Sequence, residues 1–231
     1  MAPPTDTDPG VARTGKAERT KAAIIDAALG LFRERGYDDT TMRAIAATAG
    51  VSAGNAYYYF SSKEELIHGF YDRAGQDHRA ATLPALQGVG DLADRITITL
   101  HTWIDVMSPY RAFAGKFFRN AAEPTSALSP FSNESANARQ LSIDLWEHVI
   151  TEATSPVPDI VKSELPNLLW LYSMGVVLFW VHDQSVDAGR SKLLVQRTAP
   201  LLARAVELSG MALLQTAISD TLHLIEELRH F

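Results

Sequence analysis

The sequence predicts an all-helical protein in two parts, a compact N-terminal unit built on two short helices and a larger helical body. Apolar residues recur at helical spacing along most of the chain. Strict alternation of apolar and polar residues, the mark of a half-buried strand, is nearly absent. Breaks rich in Pro, Gly and Ser punctuate the chain at LPALQGVGD, MSPY, AEPTSALSPFS, ATSPVPD and QSVDAGR.

The opening stretch MAPPTDTDPGVARTGK has no apolar run and carries Asp6 and Asp8 where a secretory signal needs positive charge. Residues 1–15 therefore read as a disordered tail, 16–79 as the compact unit and 80–231 as the helical body. From Arg19 to Arg35, Ile24, Ala27, Ala28, Leu31 and Phe32 follow the i, i+3, i+4, i+7, i+8 rule of an amphipathic helix. Gly36 stops it, with Arg33 and Arg35 set against the helix dipole. A second helix, capped by Thr40 or Thr41, carries Met42, Ile45, Ala46 and Ala49 on one face and ends at Gly50. Ser52 caps a third, running to about Phe60. Ser61 with Glu64, or Ser62 with Glu65, has the capping-box spacing that opens a fourth, expected to reach near His78. Further helices are expected near Asp91–Met107, Tyr110–Ala122, Asn133–Ala153, Ile160–His182, Ala188–Leu208 and Ala212–Arg229.

Composition removes several classes of function. Hydrophobic residues make up 46% of 231, enough for a sizeable core. The absence of cysteine excludes disulfides and thiolate chemistry. Seven histidines show no metal-ligand spacing, and neither a G-x-S-x-G elbow nor a phosphate-cradling glycine loop occurs, so no enzyme, metal or cofactor is expected. The run from Leu165 to Val181 falls short of a membrane span and contains Pro166, Asn167 and Ser173, which predicts a buried helix and no membrane partner. The net charge of −6 is unevenly spread. Residues 1–63 carry eight Lys/Arg against seven Asp/Glu, leaving an acidic body behind a mildly basic head.

Two short helices joined by a glycine-containing turn match a helix-turn-helix, whose second helix enters the DNA major groove. Such a helix needs small or hydrogen-bonding residues at its start, and Ser52, Ala53, Gly54 and Asn55 supply them. The hydroxyls of Tyr57 and Tyr58 suit phosphate, while Tyr59 and Phe60 read as packing residues.

The stretch from Arg19 to Tyr71 resembles the DNA-binding domain of the tetracycline-repressor (TetR) family. The likeness joins A-x-x-L-F-x-x-x-G-Y, T-T-M-R-x-I-A, A-G-V-S, Y-Y-x-F and S-K-E-E-L in one run. It implies that Thr41 and Arg43 approach the backbone or a base edge, that Ser52, Ala53, Gly54 and Asn55 face the groove, that Tyr57 and Tyr58 meet phosphate or a thymine methyl, and that Lys63 anchors phosphate. Ala53 stands where the family often has Lys or Arg, and Tyr59 where His is frequent. The first departure leaves Arg43 and Asn55 as the main candidates for base readout and predicts a shallower salt dependence than a more basic relative would show. Arg13, Lys16, Arg19 and Lys21 form either a DNA-contacting arm or a soluble leader.

The resemblance further implies a cytoplasmic homodimer on inverted-repeat double-stranded DNA, most often a repressor, released by a small-molecule effector. In the family, two helices from each subunit form the interface, here those around Leu165–His182 and Lys192–Leu208. Composition suggests a largely apolar effector in a pocket lined by Trp103, Met107, Phe117, Trp146, Trp170 and Met174, with His101, Asn120, Tyr172 and His182 as polar candidates. The signal is expected to pass through the fourth helix, Lys63 to about His78. An activator, or a member that binds only proteins, stays open. The last helix, with Leu213, Leu214, Ala217, Ile218, Leu224, Ile225 and Leu228 on one face, is expected to dock on the body.

Overall fold

A computed structural model describes residues 9–123 and 125–229, and every regular element in them is helical. The α-helices are α1 (Pro9–Arg35), α2 (Met42–Thr48), α3 (Ala53–Tyr59), α4 (Lys63–Ala85), α5 (Leu92–Met107), α6 (Arg111–Ala122), α7 (Ala136–Thr151), α8 (Asp159–Lys162), α9 (Leu165–His182), α10 (Gly189–Leu208) and α11 (Gln215–Arg229). Of the expected tail, residues 1–8 lie outside the described residues and 9–15 are helix. Their lack of an apolar face hides that helix from the periodicity, although Pro9 suits a first turn. The fourth helix outruns its expected end near His78. Its stop is Gly88, at φ 75°. The helix expected from Ile160 is two, because Pro166, which has no N–H to donate, sits in the first turn of a new one.

The chain divides into two compact units, residues 1–71 with 112–135 and residues 72–111 with 136–231. This differs from the expected linear division at 79/80, since 112–135 rejoins the first unit. The reason is aromatic packing. Phe113 stacks on Phe32 at 5.9 Å and on Phe117 at 5.0 Å, meets Phe70 edge-on at 5.9 Å, and Phe117 meets Tyr37 at 5.5 Å. Lys116 adds a bond to the Arg33 carbonyl at the end of α1 (2.5 Å).

Tyr37 is the hub of this first unit. Its ring packs on Phe32 at 5.1 Å and its hydroxyl donates to Glu64 at 2.8 Å. Burial first, and then the Glu64 carboxylate, push its phenol above the ordinary value. The Lys63 ammonium lies 4.4 Å from the ring centroid and donates to the Tyr37 and Asp38 carbonyls at 2.7 and 3.3 Å. At the start of α4 it is Ser62 that caps, accepting from the Glu65 N–H at 3.2 Å, while the Glu65 carboxylate accepts from the Ser61 N–H and hydroxyl.

In the second unit α5 packs chiefly on α10 and α7 on α9. Arg95 is buried and spends its guanidinium on the carbonyls of Val149, Val89 and His148. His78, also buried, donates Nε2–H to the Thr99 carbonyl at 2.8 Å, and burial holds its pKa below the usual value. Asp183 joins α9 to α10. One oxygen accepts from the Ser185 N–H and hydroxyl and the other from those of Ser191. Burial opposes the charge, but these bonds outweigh it and hold the carboxyl well below the carboxylate range.

The last helix meets the body at α8, as expected of a docked helix, but leaves part of its expected apolar face open. Leu213 and Leu224 are 87% and 53% exposed. Helix α11 packs chiefly on α8, a single turn of helix. Helix α9 is, among the described residues, the one helix apolar and long enough to cross a membrane. It buries Leu169, Trp170, Val176 and Trp180 while leaving Leu171, Leu178 and Phe179 exposed.

Two consequences are measurable. Lys63→Ala is expected to lower stability by about 1–2 kcal/mol in the absence of DNA, through lost charge-assisted and cation–π contacts. An unchanged melting temperature would refute this internal role. Asp183→Ala should cost about 1–3 kcal/mol in urea denaturation at pH 7. Because the folded carboxyl is depressed, that contribution is complete above the unfolded value of about 3.9 and is lost as pH falls below it. The gap between the two proteins should therefore narrow in acid.

Candidate nucleic-acid interface

Helix α3 has seven residues and is fixed at both ends. Ser52 Oγ accepts from the Asn55 N–H at 3.1 Å, and the Phe60 N–H returns to the Ala56 carbonyl at 2.9 Å. Ahead of it, Gly50 turns the chain at φ 69°, a region a side chain resists, and the Val51 N–H reaches back to Ala46 at 3.0 Å. Helix α2 is capped by Thr41, whose hydroxyl accepts from the Ala44 N–H at 3.2 Å. Of the two alternatives, Thr41 is thus the cap. Thr40 is buried and donates to the Gly36 carbonyl at 2.7 Å.

The two helices have sharply divided faces. Met42, Ile45, Ala46, Ala56 and Phe60 are buried. Thr41, Arg43, Ser52, Gly54, Asn55, Tyr57 and Tyr58 are exposed, while Ala53 and Tyr59 are intermediate. Tyr58 is 81% exposed, with its ring edge-on to Tyr59 at 5.2 Å. The caps use Thr41 and Ser52 as acceptors, so each hydroxyl keeps its proton to donate outward. A Cβ on Gly54 would meet nothing within 4 Å. The fold therefore has no use for a glycine there, and glycine costs a helix about 1 kcal/mol relative to alanine. Lys63 stands apart from the other expected DNA contacts, since two of its N–H groups point back at Tyr37 and Asp38.

The expected effector pocket falls on both units. Phe117 belongs to the first, buried on Phe113 and Tyr37, and Asn120 lies near it beside a cleft of about 150 Å³. Trp103, Met107, Trp146, Trp170 and Met174 belong to the second. There Trp103 meets Trp180 edge-on at 5.1 Å, and the Arg139 guanidinium lies 5.9 Å from the Trp170 ring centroid. Trp180 is not among the expected lining residues, yet it is 1% exposed and its buried Nε1 has no hydrogen-bond partner. Three polar candidates bond within the second unit: His101 to the Lys192 carbonyl, Tyr172 to the Thr198 hydroxyl, and His182 to the Leu178 carbonyl. A cleft of about 350 Å³ opens elsewhere in this unit, beside Leu86, Gly88, Arg95, His148, Glu152 and Thr154. The periodicity that marks the helices carries no signal for this cleft, which forms where the α4–α5 loop meets the end of α7.

Residues 24–69 match the family described as bacterial regulatory proteins, tetR family, and residues 95–224 match the tetracyclin repressor-like C-terminal domain. The chain is 39% identical over 100 residues to the HTH-type transcriptional repressor KstR2 of Rhodococcus jostii, covering 37% of this chain and 46% of that protein. It is 40% identical over 63 residues to the HTH-type transcriptional regulator TtgR of Pseudomonas putida, covering 27% and 30%. The matched part spans less than half the length of either relative. A TetR transcriptional regulator from Nitrosomonas europaea shares the fold, with a TM-score of 0.62 at 19% identity over 78% of this chain and 96% of that one. With both its N-terminal and C-terminal regions matched, the latter over more than half its length, the chain belongs to the tetR family of bacterial regulatory proteins.

Proposed function

We propose that this protein is a sequence-specific DNA-binding regulator, a repressor that leaves a palindromic operator when a small, largely apolar ligand binds. The observation that carries the reading is the front of α3: a helix held by Ser52, Ala56 and Phe60 whose other side presents Gly54, Asn55, Tyr57 and Tyr58 to solvent. A helix with only a core role would turn such rings inward. Arg43 reads guanine and Asn55 adenine, in the bidentate pairings those side chains favour. The Thr41 and Ser52 hydroxyls and the Tyr57 and Tyr58 phenols hold phosphates and set the register. Ala53 and Gly54 give the backbone room to enter the groove. Lys63 contributes to phosphate binding only through what its two carbonyl bonds leave over.

Two copies act together. The exposed stripe of Leu171, Leu178 and Phe179 on α9, and that of Leu193 and Leu201 on α10, support a homodimer through these helices. Two heads then meet successive major grooves about 34–36 Å apart. The aromatic interior of the second unit, with Trp103, Trp146, Trp170 and Trp180, suits an apolar effector. The orphan Trp180 N–H favours one that carries a hydrogen-bond acceptor. The protein works in the cytoplasm, where its DNA is.

Selection of fragmented genomic DNA on the purified protein at moderate and high salt tests this reading. An inverted-repeat site, lost at high salt, is expected, and failure to retain any fragment above background would leave a protein-binding role instead. On that site, Arg43→Ala should cost about 1–3 kcal/mol and relax specificity at one position, whereas Tyr58→Phe should weaken all sequences alike. Gly54→Ala separates fold from function. It should stabilise the free protein by about 0.5–1 kcal/mol yet weaken operator binding by about 1–3 kcal/mol. Unimpaired binding by this variant would show that α3 does not approach DNA at Gly54.

A further inference from the structure

The cleft of about 350 Å³ in the second unit uses none of the side chains given above to DNA or to the effector, and its size falls within the range of small-molecule pockets. Its walls are the last turn of α4, the loop 86–91, Arg95 of α5 and the end of α7. Two bonds hold these walls in place. The Thr154 N–H donates to the Gly90 carbonyl at 2.8 Å, and the Leu92 N–H to the Ser155 hydroxyl at 3.0 Å. A Cβ on Gly90 would lie 2.5 Å from Thr154 Oγ1, so only a glycine lets the segment after α7 lie this close to the loop. The shape of the cleft is therefore part of the fold.

Arg95 gives the cleft its chemistry. It is 3% exposed and donates to the carbonyls of Val149 and Val89, each at 2.7 Å, and of His148 at 3.4 Å. The bonds to His148 and Val149 close the last turn of α7. A guanidinium carries five N–H groups, so three bonds leave two, and the bond to His148 is long. Among the described residues no ion pair includes Arg95, and carbonyl dipoles alone meet its charge. A buried cation in that condition gains from a counter-ion. Burial pushes the guanidinium pKa down, and the Glu152 carboxylate, exposed on the cleft wall beyond ion-pair distance, opposes that. The rest of the lining is of another kind, with Leu83, Leu86 and Val89 on one side and Gln87 exposed at the rim.

We propose that this cleft binds a small monocarboxylate with a short apolar body, its carboxylate on the remaining N–H groups of Arg95 and its chain on Leu83, Leu86 and Val89. Glu152 and the last carbonyls of α7 limit the ligand to a single charge, because a dianion such as phosphate would meet both at close range. The bound acid supplies the counter-ion of Arg95 and joins the loop 86–91 to the end of α7. Neither the dimer nor the tryptophan-lined interior enters this inference.

Isothermal titration of the full chain at low salt with hexanoate, hexanamide and inorganic phosphate tests the site. Hexanoate is expected to bind with a Kd of about 0.1–1 mM, and hexanamide, which keeps the chain but loses the charge, about tenfold more weakly or worse. Phosphate is expected to bind no better than hexanamide. Arg95 also closes α7, so the site is located through two exposed positions whose change leaves its bonds alone. Glu152→Gln removes a competing carboxylate and should tighten hexanoate about threefold, whereas Gln87→Glu adds one and should weaken it about threefold. Opposite shifts at these two positions would fix the acid in this cleft. The proposal is overturned by an absence of hexanoate binding at about 10 mM, by hexanamide binding equally well, or by phosphate binding as tightly as hexanoate. Hexanoate binding that neither variant moves would overturn it too, since the acid would then sit elsewhere on the chain.

Discussion

Seven residues of helix do not hold themselves together in water, because one turn fixes many dihedral angles for each hydrogen bond gained. Helix α3 exists only because its surroundings impose it, and most features of the first unit serve that requirement. Ser52 satisfies an N–H at its start. Gly50 sets the angle at which the chain enters. Ala56, with no exposed surface, brings the helix within a methyl group of its support, so that a larger residue there would lift the whole helix away. With the back fixed by so little, the front is free to remain polar, small and open. The opposite arrangement, large apolar anchors along α3, would hold the helix more firmly and leave no face for a ligand.

The same economy governs the end of α1. Its last carbonyls would be orphaned by the turn at Gly36, and they are met from three directions. Gly36 donates to Phe32, Lys116 on α6 to Arg33, and Thr40 to Gly36 itself. Just beyond, Lys63 on α4 closes on the Tyr37 and Asp38 carbonyls. Three segments distant in sequence therefore converge where α1 gives way to α2. This is why residues 112–135 belong with the first unit. It also sets α6 against α4 within the first unit, through Phe113 on Phe70.

What could be read in advance follows from where the information is local. The helix-turn-helix was legible because its caps, its glycine turn and its alternation of buried and exposed positions all lie within twenty-odd consecutive residues, and Ala56 and Phe60 fall on the buried side as their spacing implies. The expected pocket was less legible. Trp103 and Trp146 look alike in sequence to Phe117, yet aromatic packing on Phe113 and Tyr37 draws Phe117 into the other unit. Lys63 illustrates the same limit. Its position in a familiar motif points to phosphate, while two carbonyls far back in the chain take its ammonium. Pairings of high sequence separation leave no periodic trace, and the orphan N–H of Trp180 leaves none either.

Helix α9 shows how a single stretch can answer two demands. A helix apolar on all sides must bury more than one face, and the interior of one chain supplies cover for only one. Leu169, Val176 and Trp180 turn inward, and Leu171, Leu178 and Phe179 remain for a partner of like character. On the reading proposed above, an effector that touched the inner face of such a helix would act on an element whose outer face meets the second copy. The energy required is small. Releasing DNA a hundredfold takes about 2.7 kcal/mol of difference in ligand affinity between the two states. Burying one further large apolar side chain against the ligand in one state supplies about 1.5–3 kcal/mol. On the proposed reading, the burial of one ring in an interior that holds Trp103, Trp146, Trp170 and Trp180 is of the size that such release requires.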